Sequence, residues 1–300
     1  MAARTLVLSF DMETDIGSYT RGCRGLTEGT PEVLRVLSAR GVPATFLFVA
    51  REAQSHPDLV RRVLADGHEV GCHTMYHETM GQPVFDMPGD FFVLESELRG
   101  RLELATDTVA QVAGTRPVSF RAPRLFGSTL LLNTLADLGY VADSSLPAYF
   151  HGCSFSPYRP SRDDWTLSGD LPIVEIPVFY DADASEDDEK NRGRDQWPML
   201  RLRGPDWFAS LCLRMLPRSV VHGSDHVLSL YLHPWEFVPM PETIQIDEGA
   251  ITFKPFLHHN TGAGAVAALD RFTGLMLDEG VTFATMRDVA ERELQAPARA

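Results

Sequence analysis

The stretch "SFDMETDIGS", residues 9–18, sets Asp11, Glu13 and Asp15 at alternate positions directly after the apolar run "TLVL". Three carboxylates crowded at the end of a strand repel one another unless a cation gathers them. If the segment stays extended, all three point to the same side, so spacing alone does not separate them. A second cluster, "CHTMYH", holds His73 and His77 four residues apart, a spacing that lets both imidazoles share one face of a helical turn. Two histidines and one carboxylate form a common catalytic metal set that leaves a position for water. Taken alone, an H-x-x-x-H pair is more often two structural or surface histidines. The acidic cluster after the first strand is what lifts the metal reading above that one. "FRAPRLFG" adds Arg121 and Arg124 after the apolar "VSF", "VADSSLP" adds Asp143, and "LYLHPWEF" adds His233, Trp235 and Glu236. A strand-end arginine beside a carboxylate would fix the orientation of that carboxylate and favour its charged form. Asp143 could accept from His233 and hold it cationic, or serve as a turn residue.

Short apolar runs alternate with helical patterns along most of the chain. "TLVLSF", "VPATFLFV", "HEVGCH", "VSFRAP", "YVADSS", "IVEIPV", "VLSLYLH" and "VTFAT" read as strands. Between them lie amphipathic segments such as "TPEVLRVLSARG", residues 88–114, "DWFASLCLRML" and "GAVAALDRFTGLMLDEG". Alternation of this kind implies a parallel sheet covered by helices, and this many units suggests closure into a barrel. Barrels of this type gather chemistry at the C-terminal ends of their strands, where the five polar clusters sit. Two stretches break the rhythm. Residues 150–172 are rich in turn formers and aromatic residues and read as an irregular loop over the rim. Residues 181–196 carry six acidic side chains between Asp181 and Glu189 and read as a solvated loop. "HHNTG" precedes a helix, where Asn260 or Thr261 could cap; His258 or His259 would reach the rim only if "AITFKPF" is a strand leading in. With no repeat and no convincing linker, residues 1–300 are expected to form a single domain.

Bulk properties exclude several function classes. A formal net charge of -14 without a Lys/Arg-rich run argues against nucleic acid and anionic membrane surfaces as partners. No apolar run approaches the roughly 20 residues needed to span a bilayer. The start "MAARTLVLSFDMETD" reads as a first strand rather than a secretory signal, which points to the cytoplasm. Cys23, Cys72, Cys153 and Cys212 form no C-x-x-C pair, consistent with reduced thiols.

The order "SFD", "HTxxH", "FRAP", "DSS", "LHPWE" resembles the polysaccharide deacetylase family, carbohydrate esterase family 4, which shares the NodB-homology domain. The closer likeness is to its intracellular branch of allantoinase-like, peptidoglycan-deacetylase-like and cyclic-imide-hydrolysing members, and it spans nearly the whole chain. The resemblance implies a distorted, incomplete (β/α) barrel of the TIM-like type, holding one divalent metal, usually zinc. It assigns Asp11 as catalytic base, Arg121 as the arginine paired with it and His233 as general acid. It assigns His73, His77 and a following acid as metal ligands. The commonest family pattern has two adjacent acids, which this chain lacks; the branch it resembles often writes Asp-x-Glu. That ranks Glu13 first as ligand, with Asp15 the alternative or a nearby acceptor. Trp235 and Phe126 are expected to wall the pocket. Tyr149, Phe150, Tyr158 and Trp165 are expected to set the substrate.

The reaction this implies is hydrolysis of an amide, most simply an N-acyl group on an amino sugar, its oligosaccharide or a small conjugate. Removal of a formyl group from a lipid-linked formamido sugar, or opening of a cyclic amide or imide, fits the same motifs. A catalytically silent carbohydrate-binding barrel is the reading of a different class, weakened by the presence of both Asp11 and His233. A homo-oligomer is compatible with the sequence but not specified by it.

Overall fold

The computed structural model describes residues 3–85, 93–184, 194–220, 225–247 and 249–296. The chain opens with β1 (Arg4–Met12), α1 (Thr30–Arg40), β2 (Thr45–Phe48), α2 (Ala50–Ser55), α3 (Pro57–Ala65) and β3 (Glu69–Cys72). It continues through α4 (Glu95–Ala113), β4 (Ser119–Phe120), α5 (Thr129–Asp137), β5 (Ala142–Asp143), α6 (Ala148–His151) and β6 (Val174–Glu175). Then follow α7 (Met199–Arg203), α8 (Pro205–Met215), β7 (His226–Leu232) and the pair β8 (Thr243–Ile246) and β9 (Gly249–Thr252). The last elements are α9 (Pro255–His258), α10 (Ala263–Asp278), β10 (Thr282–Ala284) and α11 (Met286–Gln295).

β1 through β6 lie side by side in chain order, all parallel, and β7 pairs in parallel with the other edge of β1. The sheet curls until its free edges meet at a one-residue bridge, Val178 with Ser229. The fold is therefore α/β, a distorted and incomplete (β/α) barrel. β10 shares an edge of β1 with β2: Thr5–Val7 pair with Thr282–Ala284, and Ser9–Met12 pair with Thr45–Phe48.

The two-residue period of β1 explains how it serves two environments. Leu6, Leu8, Phe10 and Met12 join the large core under the helices, with Phe10 stacked 5.0 Å from Phe46. Val7 belongs to a separate cluster with Leu47, Ile176, Val227 and, from α11, Met286, Val289 and Ala290. α11 thus plugs the N-terminal end of the barrel. Further along the same face, Ser9 donates to the Leu230 carbonyl at 2.8 Å, and Asp11 comes last. Buried on both faces, β1 reads as a continuous apolar run until its chemistry begins.

Helix ends follow local rules. α1 stops at Gly41 in the left-handed conformation, φ 62°, and α4 stops likewise at Gly114, φ 72°. α5 begins under Ser128, whose hydroxyl accepts from Leu131 N–H. Residues 88–92 of the expected long helix lie outside the described residues. Three expectations are corrected. His73 and His77 are not on a helical turn, because β3 runs into an irregular turn in which Thr74 and His77 take positive φ. "AITFKPF" does form a strand, β9, but in an antiparallel hairpin with β8 that is not part of the barrel sheet; His258 and His259 then close the short α9. The 150–172 segment folds back on β6 through Tyr158 and Glu175, with Trp165 buried. Of the acidic loop, residues 185–193 lie outside the described residues, while Asp183 pairs with Arg214 and Arg218.

One close approach couples this frame to the rim. A Cβ on Gly25 would lie 2.4 Å from the backbone nitrogen of Trp235 and 2.5 Å from its Cα. Gly25→Ala is therefore expected to destabilise the fold by about 1–3 kcal/mol, read as a lower urea midpoint at unchanged slope.

Candidate active site

The C-terminal strand ends surround a cavity of about 570 Å³. Asp11, Glu13, His73, His77, Tyr149, His233 and Trp235 all contribute to its lining.

At its base Arg121 is wholly buried. Its guanidinium donates from Nη1 to Asp11 Oδ1 at 2.8 Å, from Nε to the Ser144 carbonyl at 2.9 Å and from Nη2 to Ser144 Oγ at 2.9 Å. It also lies 5.4 Å from the centre of the Tyr231 ring. One oxygen of Asp11 is thereby fixed, and the other is available to take a proton.

Glu13, His73 and His77 bring one ligand atom each to within 4.8 Å of one another. Glu13 Oε2 lies 2.6 Å from His77 Nε2, and Trp235 Nε1 donates to Glu13 Oε1 at 3.4 Å. Burial pushes the Glu13 carboxyl up, but the facing histidines, His77 foremost, pull it down to about 2. Burial pushes His73 down to about 4, so its ring is neutral at pH 7. His73 Nδ1 lies 2.7 Å from the Arg121 carbonyl, an acceptor that places the hydrogen on Nδ1 and the lone pair on Nε2. A carboxylate with two imidazoles, one anchored through its far nitrogen, fits a divalent metal.

Asp15 is placed elsewhere. β1 ends at Met12, a turn follows in which Glu13 N–H donates to the Asp11 carbonyl, and Asp15 Oδ1 and Oδ2 accept from the amides of Gly25 and Arg24 at 2.8 and 3.0 Å. Its carboxylate caps the turn before α1 and is not part of the Glu13–His73–His77 cluster.

His233 stands opposite. Its Nδ1 lies 3.1 Å from Glu236 Oε1, which also accepts from the His233 amide at 2.9 Å. Glu236 is in turn held by Arg201 Nε and by Trp197 Nε1 at 2.7 Å. Burial opposes charge on His233, but the hydrogen bond to Glu236 and the nearby Glu13 raise it above its ordinary value. Burial likewise opposes charge on Glu236, and the Arg201 pair with His233 overrides it, to about 2. Trp235 stacks on His233 at 5.2 Å, and Trp197 meets it edge-on at 5.1 Å.

The expected Asp143–His233 contact is not made. Asp143 Oδ1 accepts from Ser145 Oγ at 2.8 Å, and burial pushes its carboxyl up beside Glu175. Phe126 is fully buried against Phe85, ring centres 4.9 Å apart, and does not line the cavity; Arg124 and Leu125 of the same loop do. Both take positive φ, 59° and 61°, which turns the loop so. Tyr149 is on the wall and its hydroxyl donates to Asp195 at 3.2 Å, but Phe150, Tyr158 and Trp165 are not on it. The far wall comes instead from Ile251, Phe253, Lys254, Phe256 and Leu257, after and within the β8–β9 hairpin. Sequence reasoning gave Glu236 a loop-orienting or merely exposed role, whereas it is fully buried and holds His233; its position three after His233 was the signal. Arg201 and Trp197, far away in the chain, carried none.

The family model for polysaccharide deacetylase matches residues 1–142. Chitooligosaccharide deacetylase of Sinorhizobium fredii is 54% identical over 48 residues, 16% of this chain and 22% of that protein. Peptidoglycan-N-acetylglucosamine deacetylase of Bacillus cereus is 29% identical over 96 residues, 32% of this chain and 31% of that protein. The chain thus spans less than a third of the length of either relative. The solved structure of a candidate polysaccharide deacetylase from Mycobacterium smegmatis superposes with a TM-score of 0.62 at 22% identity, covering 100% of this chain and 98% of that one. Puue Allantoinase does so with a TM-score of 0.62 at 17% identity, covering 98% and 92%. At such identities the two likenesses speak for the fold. The likeness to the polysaccharide deacetylase family thus rests on residues 1–142, just under half of the chain.

Proposed function

We propose that this chain is a metal-dependent amide hydrolase that removes an N-acyl group from an amino sugar or a small conjugate of one. The observation that carries this reading is the meeting of three differently prepared sets in one cavity: Asp11 fixed by Arg121, the Glu13–His73–His77 cluster, and His233 charged by Glu236. Glu13, His73 and His77 would hold the ion, with zinc the metal whose donor preference the set matches, and when bound it supplies charge that polarises an acyl carbonyl and acidifies water.

Asp11 takes the proton of the attacking water on the oxygen not engaged by Arg121. The C–N bond of the resulting tetrahedral centre breaks as His233 gives its Nε2 proton to the departing amine. Glu236 favours the doubly protonated form of that imidazole, and Trp235 and Trp197 fix its plane. Indole and phenyl surfaces around the site keep bulk water out and accept the flat face of a sugar ring.

The cavity's volume of about 570 Å³ and its apolar far wall of Phe253, Phe256 and Leu257 suit a small substrate better than a polymer. The same wall supports a second reading, opening of a cyclic amide or imide. Free cysteines at 23, 72, 153 and 212 suit a reducing compartment, and no helix among the described residues is long and apolar enough to cross a membrane.

Metal analysis followed by turnover of N-acetylated and N-formylated amino sugars and cyclic imides tests the proposal; bound metal with no acetate, formate or ring-opened product would sink it. Asp11→Asn is expected to lose about 10²–10⁴-fold in kcat while retaining metal. His73→Ala is expected to lose metal and activity together; full metal-dependent turnover would refute the ligand assignment.

The pH dependence has a definite sign. His233 is raised by the hydrogen bond to Glu236, so its acidic form persists to higher pH than in a free imidazole and is lost as pH rises through its folded-state value. Glu236→Gln removes the charge that raises it. The alkaline limb of kcat is expected to move to lower pH, checked alongside a thermal melt because Arg201 loses its partner.

A further inference from the structure

A second group of metal-ligating side chains lies outside the cavity and shares no residue with the first. Cys23, Glu52 and His56 each bring a ligand atom to within 4.8 Å of the other two. Cys23 sits in the loop that runs from Glu13 to the turn before α1, while Glu52 and His56 are four apart across α2. Cys23 Sγ lies 3.6 Å from Glu52 Oε2, and His56 Nδ1 lies 3.7 Å from the same oxygen. Glu52 is 7% exposed, yet among the described residues no Arg or Lys reaches its carboxylate; its close polar neighbours there are the thiol and the imidazole.

Two other buried carboxylates of this protein pair with a cation, Asp11 with Arg121 and Glu236 with Arg201. Here a carboxylate and a thiol face each other instead, and burial together with Glu52 pushes the thiol up to about 11. Two potential anions and one imidazole converging on a point are a mutual liability without a cation and a ligand set with one. Thiolate, imidazole and carboxylate in one place select zinc or a close relative over magnesium or calcium.

We propose that Cys23, Glu52 and His56 form a second divalent-metal site, of zinc type, distinct from the Glu13–His73–His77 cluster. Binding breaks the Cys23 S–H bond: the proton leaves to solvent and the sulfur lone pair goes to the ion. On its other side His56 borders a hollow of about 380 Å³ with Ser55, Asp58 and Arg62. The role is to brace the active-site loops. α2 receives the turn that carries His73 and His77 through Ala50 N–H to the Thr74 carbonyl at 2.9 Å and Arg51 N–H to the Met75 carbonyl at 3.1 Å. An ion shared by α2 and Cys23 would pin the loop after Glu13 to the same helix.

The test is a cobalt titration of the full-length, reduced, metal-stripped protein. A thiolate-to-cobalt charge-transfer band in the near ultraviolet is expected, since the Glu13–His73–His77 cluster has no sulfur. Cys23→Ser should lose that band and one equivalent of Co²⁺, and melt at a temperature no longer raised by the second equivalent. Cys153→Ser, which alters another half-buried thiol, should keep the band. His56→Gln should retain the thiol but weaken Co²⁺ binding at this site by about tenfold or more. Absence of the band in the native protein, or its survival in Cys23→Ser, overturns the proposal. If Cys23→Ser does not fold, unchanged cobalt affinity in His56→Gln overturns it equally. Because the band reports sulfur, the outcome does not depend on whether the catalytic reading is right.

Discussion

A guanidinium buried inside a barrel must have every donor met and its charge answered, and Arg121 organises the site by meeting that demand. Its side chain is consumed by Asp11 and by the hydroxyl and carbonyl of Ser144, while its own carbonyl is the acceptor for His73. One residue therefore orients both the proposed base and a proposed ligand. Behind it, burial raises Asp143 and, further still, Glu175. Raising both disfavours a further anion that would compete with Asp11 for the arginine. Removing one partner of such a pair leaves an uncompensated charge and costs about 3–5 kcal/mol, so the pair is a fixed point of the fold as well as of the site.

The proposed acid is prepared by a different logic. His233 is enclosed by indoles, which alone would keep its ring neutral, and Glu236 reverses that. Glu236 can do so because Arg201 compensates its own burial. The chain Arg201–Glu236–His233 thus brings charge from beneath α9 and α10 to the rim, as Arg121 brings it from the barrel's centre. Non-glycine residues in the left-handed region, among them Ile16, Thr74, His77, Arg124 and Leu125, gather in the loops around this cavity. Each such conformation carries a cost that packing elsewhere must offset, and rigid side-chain placement is what the offset secures.

Much of this was legible in the residues. The period of two in β1, the glycine stops of α1 and α4 and the recurrence of strand and helix gave the architecture. The polar clusters at strand ends gave Asp11, Glu13, His73, His77, Arg121 and His233, and the structure brings all six together. What failed did so for identifiable reasons. Extension could not distinguish Glu13 from Asp15 because the turn after Met12, which separates them, is set by amides of Arg24 and Gly25 rather than by any local signal. Phe126 was misjudged because two consecutive positive-φ residues rotate the loop before it. Asp143 was paired with the wrong partner because strand-end position reveals depth poorly: it lies in the barrel wall beside Glu175, below the rim. The wall from Ile251 to Leu257 belongs to a hairpin outside the repeat, where periodicity says nothing about what is covered.

The edge of β1 shared by β2 and β10 bears on how the chain reaches its final form. Thr5 finds its partner Thr282 across 277 positions, and the whole opposite edge, Arg4 to Phe10, waits for His226 to Leu232. As the polypeptide leaves the ribosome, the longest strand of the sheet is made first and bordered last. It can pair with β2 at one half of one edge, leaving the remainder open to any other extended segment during synthesis. Sequence-distant closure of this kind slows folding, because loop entropy is spent before the contacts that repay it form. The strand that delivers Asp11 to the rim is thus the one left open longest, and the barrel is committed only when its last strands arrive.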